Sequence, residues 1–453
     1  MFEPIITYEQ FKGSVKGIRL LDGNSLVHYF PKKREPENAR CISIQSVDSG
    51  HNLTCSYYVG IDWILEKEQA IYVQPKLNLD SPQTDYLAML VKALKHPGTS
   101  QFTDELFEIK LEKPFIEIDH HQDLITPLIV VQFLSVLQSI VRKGLKKSFY
   151  KVENNLKGRI KGKILIGQTV KNNLFKNKIL NTFCQYEEFG YDSYENRLLK
   201  KALIFVQRYL PNLKLAGIDK YALNILDFVM PAFSSVNNDV DINEIKQNKP
   251  NIFYKEYSQG IRLAKLILKR FGYNINNTQK SGKIKTPPFW IDMSKLFELY
   301  VLGLLKDKYP DQTEFQFKAN YGNPDFLLLK EQFVVDAKYK TYYNEDFTGQ
   351  VQWKRDNIAS DIRQVSGYAR DKKVLSKLQL SIVDNVTVVP KCLIIYPDQQ
   401  SGNECFTNLD LSKTLIKEFE NFYKLPISLP VIIRKFDLPK IGSIESEIEN
   451  NLK

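Results

Sequence analysis

The sequence predicts a multidomain α+β protein. A β-rich N-terminal domain covers residues 1–120 and a mainly helical, basic middle region covers 121–275. A linker at 276–288 leads into a C-terminal α/β domain at 289–440, and a flexible polar tail at 441–453 closes the chain. Three observations carry this expectation. With 453 residues, 43% hydrophobic and 25% charged, the chain has ordinary globular composition and room for roughly two to four domains. Its hydrophobic pattern changes along its length, from short apolar runs broken by turns, to helical spacing, to an alternation of both. Its excess of positive charge sits in one stretch.

In the first region, Tyr57–Leu65 and Ala70–Pro75 are apolar runs on either side of the polar turn Glu66-Lys67-Glu68-Gln69, a hairpin pattern. Gly23-Asn24 and Ser49-Gly50 mark further turns. In the middle region, Leu128–Lys146, Ser193–Tyr209, Tyr221–Phe228 and Ile261–Phe271 carry apolar residues at helical spacing. The segment Asn276–Pro288 is polar, basic and ends in Pro-Pro, which reads as a linker. After it, helix and strand patterns alternate, with Cys392–Tyr396 and Pro430–Lys435 expected to complete a sheet.

Lys and Arg number 63 against 52 Asp and Glu, a net charge of +11. Residues 141–220 hold 18 Lys/Arg against six Asp/Glu, a net +12, and so account for the whole excess. Such a stretch suits a polyanion, and Lys143, Lys146, Lys147 and Arg159 are expected to meet DNA phosphates. The five cysteines form no CxxC pair, so neither a disulfide framework nor a zinc knuckle is expected, and a cytoplasmic location fits. The opening MFEPIITYEQ has no basic stretch leading into an apolar core, so no secretory signal is expected. Leu124–Val141 runs 18 residues without a charge, but Pro127, Gln132 and Ser135 interrupt it. A buried core helix is expected there, and no membrane partner. The chain has no GxxxxGK[ST], no HExxH and no GxSxG, which excludes a P-loop motor of its own, a zincin site and a hydrolase nucleophile elbow. His120-His121 reads as surface loop.

The residues with chemistry lie in the C-terminal domain. Asn323-Pro324-Asp325 opens an apolar strand, and Phe333-Val334-Val335-Asp336-Ala337-Lys338 forms a second. Strand side chains alternate, so Asp336 and Lys338 share a face. A short turn between the strands brings Asp325 beside Asp336. Two carboxylates at close range need a cation between them, and a hard divalent ion with oxygen ligands suits them. Glu298 sits on the apolar stripe of a helix over residues 292–306 and needs a partner there. Gln364 and Tyr368, at i and i+4, share one helix face.

A PD followed eleven residues later by DxK resembles the PD-(D/E)xK nuclease superfamily. The resemblance implies that Asp325 and Asp336 bind Mg²⁺, with Mn²⁺ as a substitute. The Ala337 carbonyl would assist, and Glu298 would be a third ligand. Lys338 would orient the attacking water, and Gln364 and Tyr368 match a QxxxY element at the substrate phosphate. Arg363 and Lys340 would then contact DNA.

A wider resemblance covers roughly residues 55–440. Tyr58-Val59-Gly60-Ile61 with Ile71–Lys76, Gly144–Lys147 with Leu156–Ile164, Tyr194–Leu203 and the PD…DAK…QxxxY set occur in the order found in McrC-type proteins, the endonuclease subunits of McrBC (LlaJI-like) restriction systems. That resemblance implies a McrB-like AAA+ GTPase ring as partner, with GTP bound by the partner and not by this chain. It implies docking of that ring through residues 1–120, and methylated double-stranded DNA as substrate. Two other readings of the residues remain: a stand-alone PD-(D/E)xK repair nuclease, and a non-catalytic DNA-binding activator of a ring NTPase.

Overall fold

The computed structural model describes the chain apart from residues 1–3, 21–24, 31–38, 48–49, 76–81, 97–98, 104–105, 120–124, 211–217, 242–254, 275–282, 341–350, 381, 384–385, 388, 400–401, 404–405, 407–414, 417–418 and 433–453. It is mixed α+β and divides into two compact units. The first joins Met1–Met89 to Trp290–Lys453, and the second is Leu90–Phe289. The sequence expectation differed: it gave residues 1–120 a domain of their own. The reason for the difference is packing between segments distant in sequence. The buried Trp290 lies in one core with Ile42, Ile44, Leu53 and Tyr58 of the N-terminal strands, and its indole N–H donates to buried Asp62 at 3.0 Å.

In the first unit, the expected hairpin forms from strands Tyr58–Leu65 and Gln69–Gln74, with Gly60 opposite Val73. Ile5–Tyr8 adds in parallel to its second strand. A four-stranded antiparallel sheet takes the order Lys12–Val15, Gly50–Cys55, Arg40–Val47, Ser25–Tyr29. Helix Met293–Lys308 follows, and the Asp292 carboxylate accepts from the Lys295 backbone N–H at 3.0 Å as its N-cap. Next comes a five-stranded mixed sheet in the order Thr313–Phe315, Phe326–Leu328, Phe333–Ala337, Lys391–Pro397, Phe422–Ile427. Its first two pairings are antiparallel and its last two parallel. Leu327, Val334 and Ile394 of this sheet pack against Ile362 and Val365 of helix Val351–Tyr368. The edge strand is Phe422–Ile427, not Pro430–Lys435. Val431 makes only an isolated bridge to Thr84, and residues 433–435 lie outside the described residues, as does the expected tail.

The second unit holds the four expected helices, at Ile125–Lys143, Tyr194–Tyr209, Ile218–Val229 and Lys255–Asn274. The first is long and apolar enough to cross a membrane, but 78% of its apolar window is buried inside the protein. The side-chain nitrogen of its Gln132 is bonded there, donating to the Thr103 backbone oxygen at 2.9 Å and to the Thr103 hydroxyl at 2.6 Å. Two features depart from expectation. Within the supposed linker, Lys283–Thr286 is a strand paired antiparallel with Ile116–Asp119, and Thr286 is buried. The basic middle region also contains a long arm: Ser148–Lys157 pairs with Asn181–Gly190 over ten residues, and Lys163–Ile164 adds a short third strand. His120-His121 and Cys405 lie outside the described residues. Cys41, Cys55, Cys184 and Cys392 are buried thiols.

Candidate active site

The pairing of two short strands builds the site. Phe326 lies opposite Val335 and Leu328 opposite Phe333, so the register carried back one step sets Asp325 against Asp336. Asp325 is fixed there because its Oδ2 accepts the Ala337 backbone N–H at 2.8 Å. Asp336 is buried, and its Oδ2 lies 2.6 Å from Lys338 Nζ. That ion pair is off the hydrogen-bonding direction, which leaves Oδ2 without a well-aligned donor.

Lys338 is the hub. Its ammonium donates to Gln364 Oε1 at 2.8 Å and stands 4.0 Å from Asp361 Oδ1. Gln364 Nε2 in turn donates to the Tyr368 hydroxyl at 2.8 Å, which fixes the amide so that its oxygen faces Lys338. Asp361, Gln364 and Tyr368 occupy i, i+3 and i+7 of one helix and so share a face. The pocket has a volume of about 590 Å³. Every residue expected to be catalytic or metal-binding lines it: Asp325, Asp336, Ala337, Lys338, Glu298, Gln364 and Tyr368.

Burial and mutual repulsion dominate the electrostatics. Burial pushes the Asp325 carboxyl well above the usual carboxylate range, and the negative charges of Asp336 and Glu298 add to this. The Ala337 N–H and Lys338 oppose it. Burial also raises Asp336, against the pull of Lys338. For Lys338 burial works downward, but Asp336 and Asp361 together hold it above an ordinary lysine, so it stays an ammonium. Two adjacent buried carboxyls both shifted upward mark a site short of positive charge.

The donor set fits a divalent oxygen-liganded cation at Asp325 and Asp336, because two buried carboxyls lie side by side, both are shifted upward, and one Asp336 oxygen lacks an aligned donor. Glu298 faces the same pocket from its helix. It is paired with Lys295 at 3.5 Å and accepts from Gln316 at 3.3 Å. Among the described residues, no three His, Cys, Asp or Glu side chains are grouped as a ready metal cage, so the two aspartates form the close part of the set and Glu298 its edge.

The residues expected to meet DNA fare differently. Lys340 lines the pocket but is spent on Asp361, donating to its two oxygens at 2.8 and 2.9 Å. Arg363 is exposed and outside the pocket lining. Lys143 pairs with Glu256. Lys146 donates to both Glu195 oxygens, at 3.1 and 2.8 Å, within a hub in which Asn196 and Tyr257 also bond the Lys146 backbone. Lys146 is therefore a structural residue. Lys147 is exposed over the Tyr191 ring, and Arg159 is exposed on the arm.

Sequence reasoning missed Asp361, although its spacing to Gln364 was a usable sign. It also missed Tyr57, which lines the pocket from the N-terminal segment, and Glu9, whose buried carboxylate accepts the Tyr339 hydroxyl at 2.9 Å next to Lys338. No local signal marks either of these, because both meet the site only through the fold.

Fold and site together define a class: an α+β protein whose mixed sheet presents two aspartates and a lysine in one pocket, beneath a helix that supplies Gln and Tyr. The family model described as McrBC 5-methylcytosine restriction system component matches residues 53–377. The chain belongs to that family. Two solved structures from Thermococcus gammatolerans are similar. One is from the refined half-complex of a tetradecameric assembly of McrB AAA+ hexamers with bound McrC. It is 14% identical and covers 96% of this chain and 97% of that one, with a TM-score of 0.38. The other is from the cryo-EM structure of the McrBC complex, 13% identical over 80% of this chain and 100% of that one, with a TM-score of 0.28. No curated protein matches.

Proposed function

We propose that this chain is the nuclease subunit of a McrBC-type restriction system, hydrolysing DNA phosphodiesters with Mg²⁺ in concert with an AAA+ GTPase ring. The observation that carries the reading is the convergence of Asp325, Asp336, Lys338, Gln364 and Tyr368 in one pocket of a family member. This supports a PD-(D/E)xK assignment for the five-stranded sheet and its helices. Asp325 and Asp336 would hold the metal, with Glu298 at its edge. When bound, the metal supplies charge neutralisation at the phosphate and polarises oxygen. Lys338, held by Asp336 and Gln364, presents a fixed positive charge to a phosphate oxygen or to the attacking water. Tyr368 holds Gln364, and Gln364 holds Lys338, so the ammonium is pre-positioned.

The arm supports a protein partner more than a DNA track. Its short helix Ile166–Asn172 and the turn after it bury no residue. Phe175 is 82% exposed, Ile179 75% and Ile166 72%. Phosphate binding uses Lys and Arg, whereas large exposed aliphatic and aromatic side chains in one place call for a protein cover. We therefore assign ring contact to the arm at residues 148–190, in preference to residues 1–120.

The test is co-purification with a McrB-type GTPase, followed by cleavage of methylated plasmid with Mg²⁺, with and without GTP. Cleavage is expected only when partner and GTP are both present. Cleavage by the chain alone would favour a stand-alone nuclease. The pair Ile166→Asp and Phe175→Asp changes exposed positions, so folding should persist while complex formation on size exclusion is lost. Unaltered complex formation would move the docking site elsewhere.

A further inference from the structure

The catalytic hairpin is preceded by a loop, residues 316–324, that the proposed chemistry leaves unused. Its base is closed by the Gln316 N–H donating to the Asp325 backbone oxygen at 2.7 Å. Its crown is tied to Asp371, which accepts from the Asn320 N–H at 2.8 Å, the Asn320 side-chain amide at 3.0 Å and the Tyr321 N–H at 3.3 Å. Asp371 itself is fixed by the Lys373 N–H at 2.8 Å. Gly322, at φ +89°, lies flat on Tyr368: a Cβ there would come within 2.6 Å of the ring. Asn323 lines the catalytic pocket. The loop is thus registered to Asp325 at one end and to Tyr368 at the other.

On this rigid support Tyr321 is 90% exposed, the most exposed of the large hydrophobic side chains among the described residues. Lys318, three residues earlier on the loop, is exposed too. An aromatic ring left in water costs little if mobile. Here the backbone beneath it is held: Asn320 and Tyr321 are bonded to Asp371, the loop base is closed on the Asp325 backbone oxygen, and Gly322 packs on Tyr368. An exposed cation and an exposed aromatic ring on the loop whose Asn323 lines the pocket match the chemistry of a nucleic-acid strand: phosphate to the ammonium, base to the ring.

We propose that Tyr321 is a substrate contact that stacks on a nucleobase next to the scissile phosphate, with Lys318 on the flanking phosphate, so that the loop sets which bond enters the pocket. The proposal rests on the nuclease reading above and adds to it the element that seats the strand. It predicts that Tyr321 governs binding and cut position, not the chemical step.

The full chain, with its GTPase partner, is to be irradiated on methylated duplex DNA carrying 5-iodouracil near the cut site, with Ca²⁺ replacing Mg²⁺ to hold back cleavage. The cross-link is expected at Tyr321 by peptide mapping, to disappear in Tyr321→Ala and to return in Tyr321→Trp. With Mg²⁺, Tyr321→Ala should raise KM about tenfold and scatter the cut positions while kcat changes little, and Tyr321→Trp should restore both. If the wild type cleaves but Tyr321→Ala binds, cross-links and cuts as the wild type does, the stacking role is overturned and the nuclease reading stands. If the wild-type complex neither binds nor cleaves DNA, both fall together.

Discussion

Asp336→Ala is expected to abolish DNA cleavage, by about 10²–10³-fold or more, while leaving stimulation of the partner's GTPase at the wild-type level. The first half follows from what Asp336 touches. Its carboxylate faces Asp325 across the strand pair and sets the Lys338 ammonium at 2.6 Å, so its loss would remove a proposed cation ligand and leave Lys338 held by Gln364 and Asp361 alone. The second half follows from location. The exposed arm belongs to the Leu90–Phe289 unit and Asp336 to the other. Asp336→Asn keeps the side-chain shape and controls for misfolding. Cleavage retained by either variant would remove Asp336 from the site, and GTPase stimulation lost by both would tie the two activities together.

Asp325→Asn should inactivate the protein and yet stabilise it when no divalent cation is present. Burial, with Asp336 and Glu298 nearby, raises the folded-state pKa of Asp325 well above the usual carboxylate range. Between the unfolded value and that raised value, the folded protein binds more protons than the unfolded chain, so stability falls as pH rises through this window and stays lower above it. An asparagine carries no charge, and its oxygen can still accept the Ala337 N–H that Asp325 accepts now. In chelator at neutral pH the variant should therefore melt higher, by about 2–4 °C for each kcal/mol of repulsion removed. The advantage should vanish below the carboxylate range, where Asp325 is protonated in both states. Mg²⁺ should raise the wild-type Tm and leave the variant nearly unmoved. A variant that melts lower than wild type at every pH in chelator would show that Asp325 stabilises the fold, and would contradict the crowded-carboxylate account.

Gln364 and Tyr368 show why part of the site was readable in advance. They lie on one helix, and helical spacing alone puts i and i+4 on one face. Asp325, Asp336 and Lys338 lie on two strands joined by a short turn, where alternation and turn length fix the register. Tyr57, Glu9 and Lys340 show the opposite case. Tyr57 and Glu9 arrive from the other end of the chain. Lys340 looks like a free cation until Asp361 is folded against it. The arm was missed for a related reason. Burial of one face is what writes a period of two into a sequence. Ser148–Lys157 buries only Leu156 among its ten residues, so the alternation of Tyr150, Val152 and Leu156 with Lys151, Glu153 and Asn155 is diluted by exposed Phe149 and by Asn154. The basic excess of residues 141–220 likewise has an address in sequence but no fixed meaning there. Lys143 and Lys146 neutralise Glu256 and Glu195.

Local pattern was enough for the local geometry: the N-terminal hairpin, the four middle helices and the two aspartates set against each other beside a lysine. These depend on contacts a few residues apart, which periodicity and turn length encode directly. Long-range packing alone puts the N-terminal segment in one unit with the five-stranded sheet, makes several lysines structural, and leaves Tyr321 exposed on a tied loop. Those depend on the burial of side chains against partners far along the chain, and no local pattern carries the identity of such a partner.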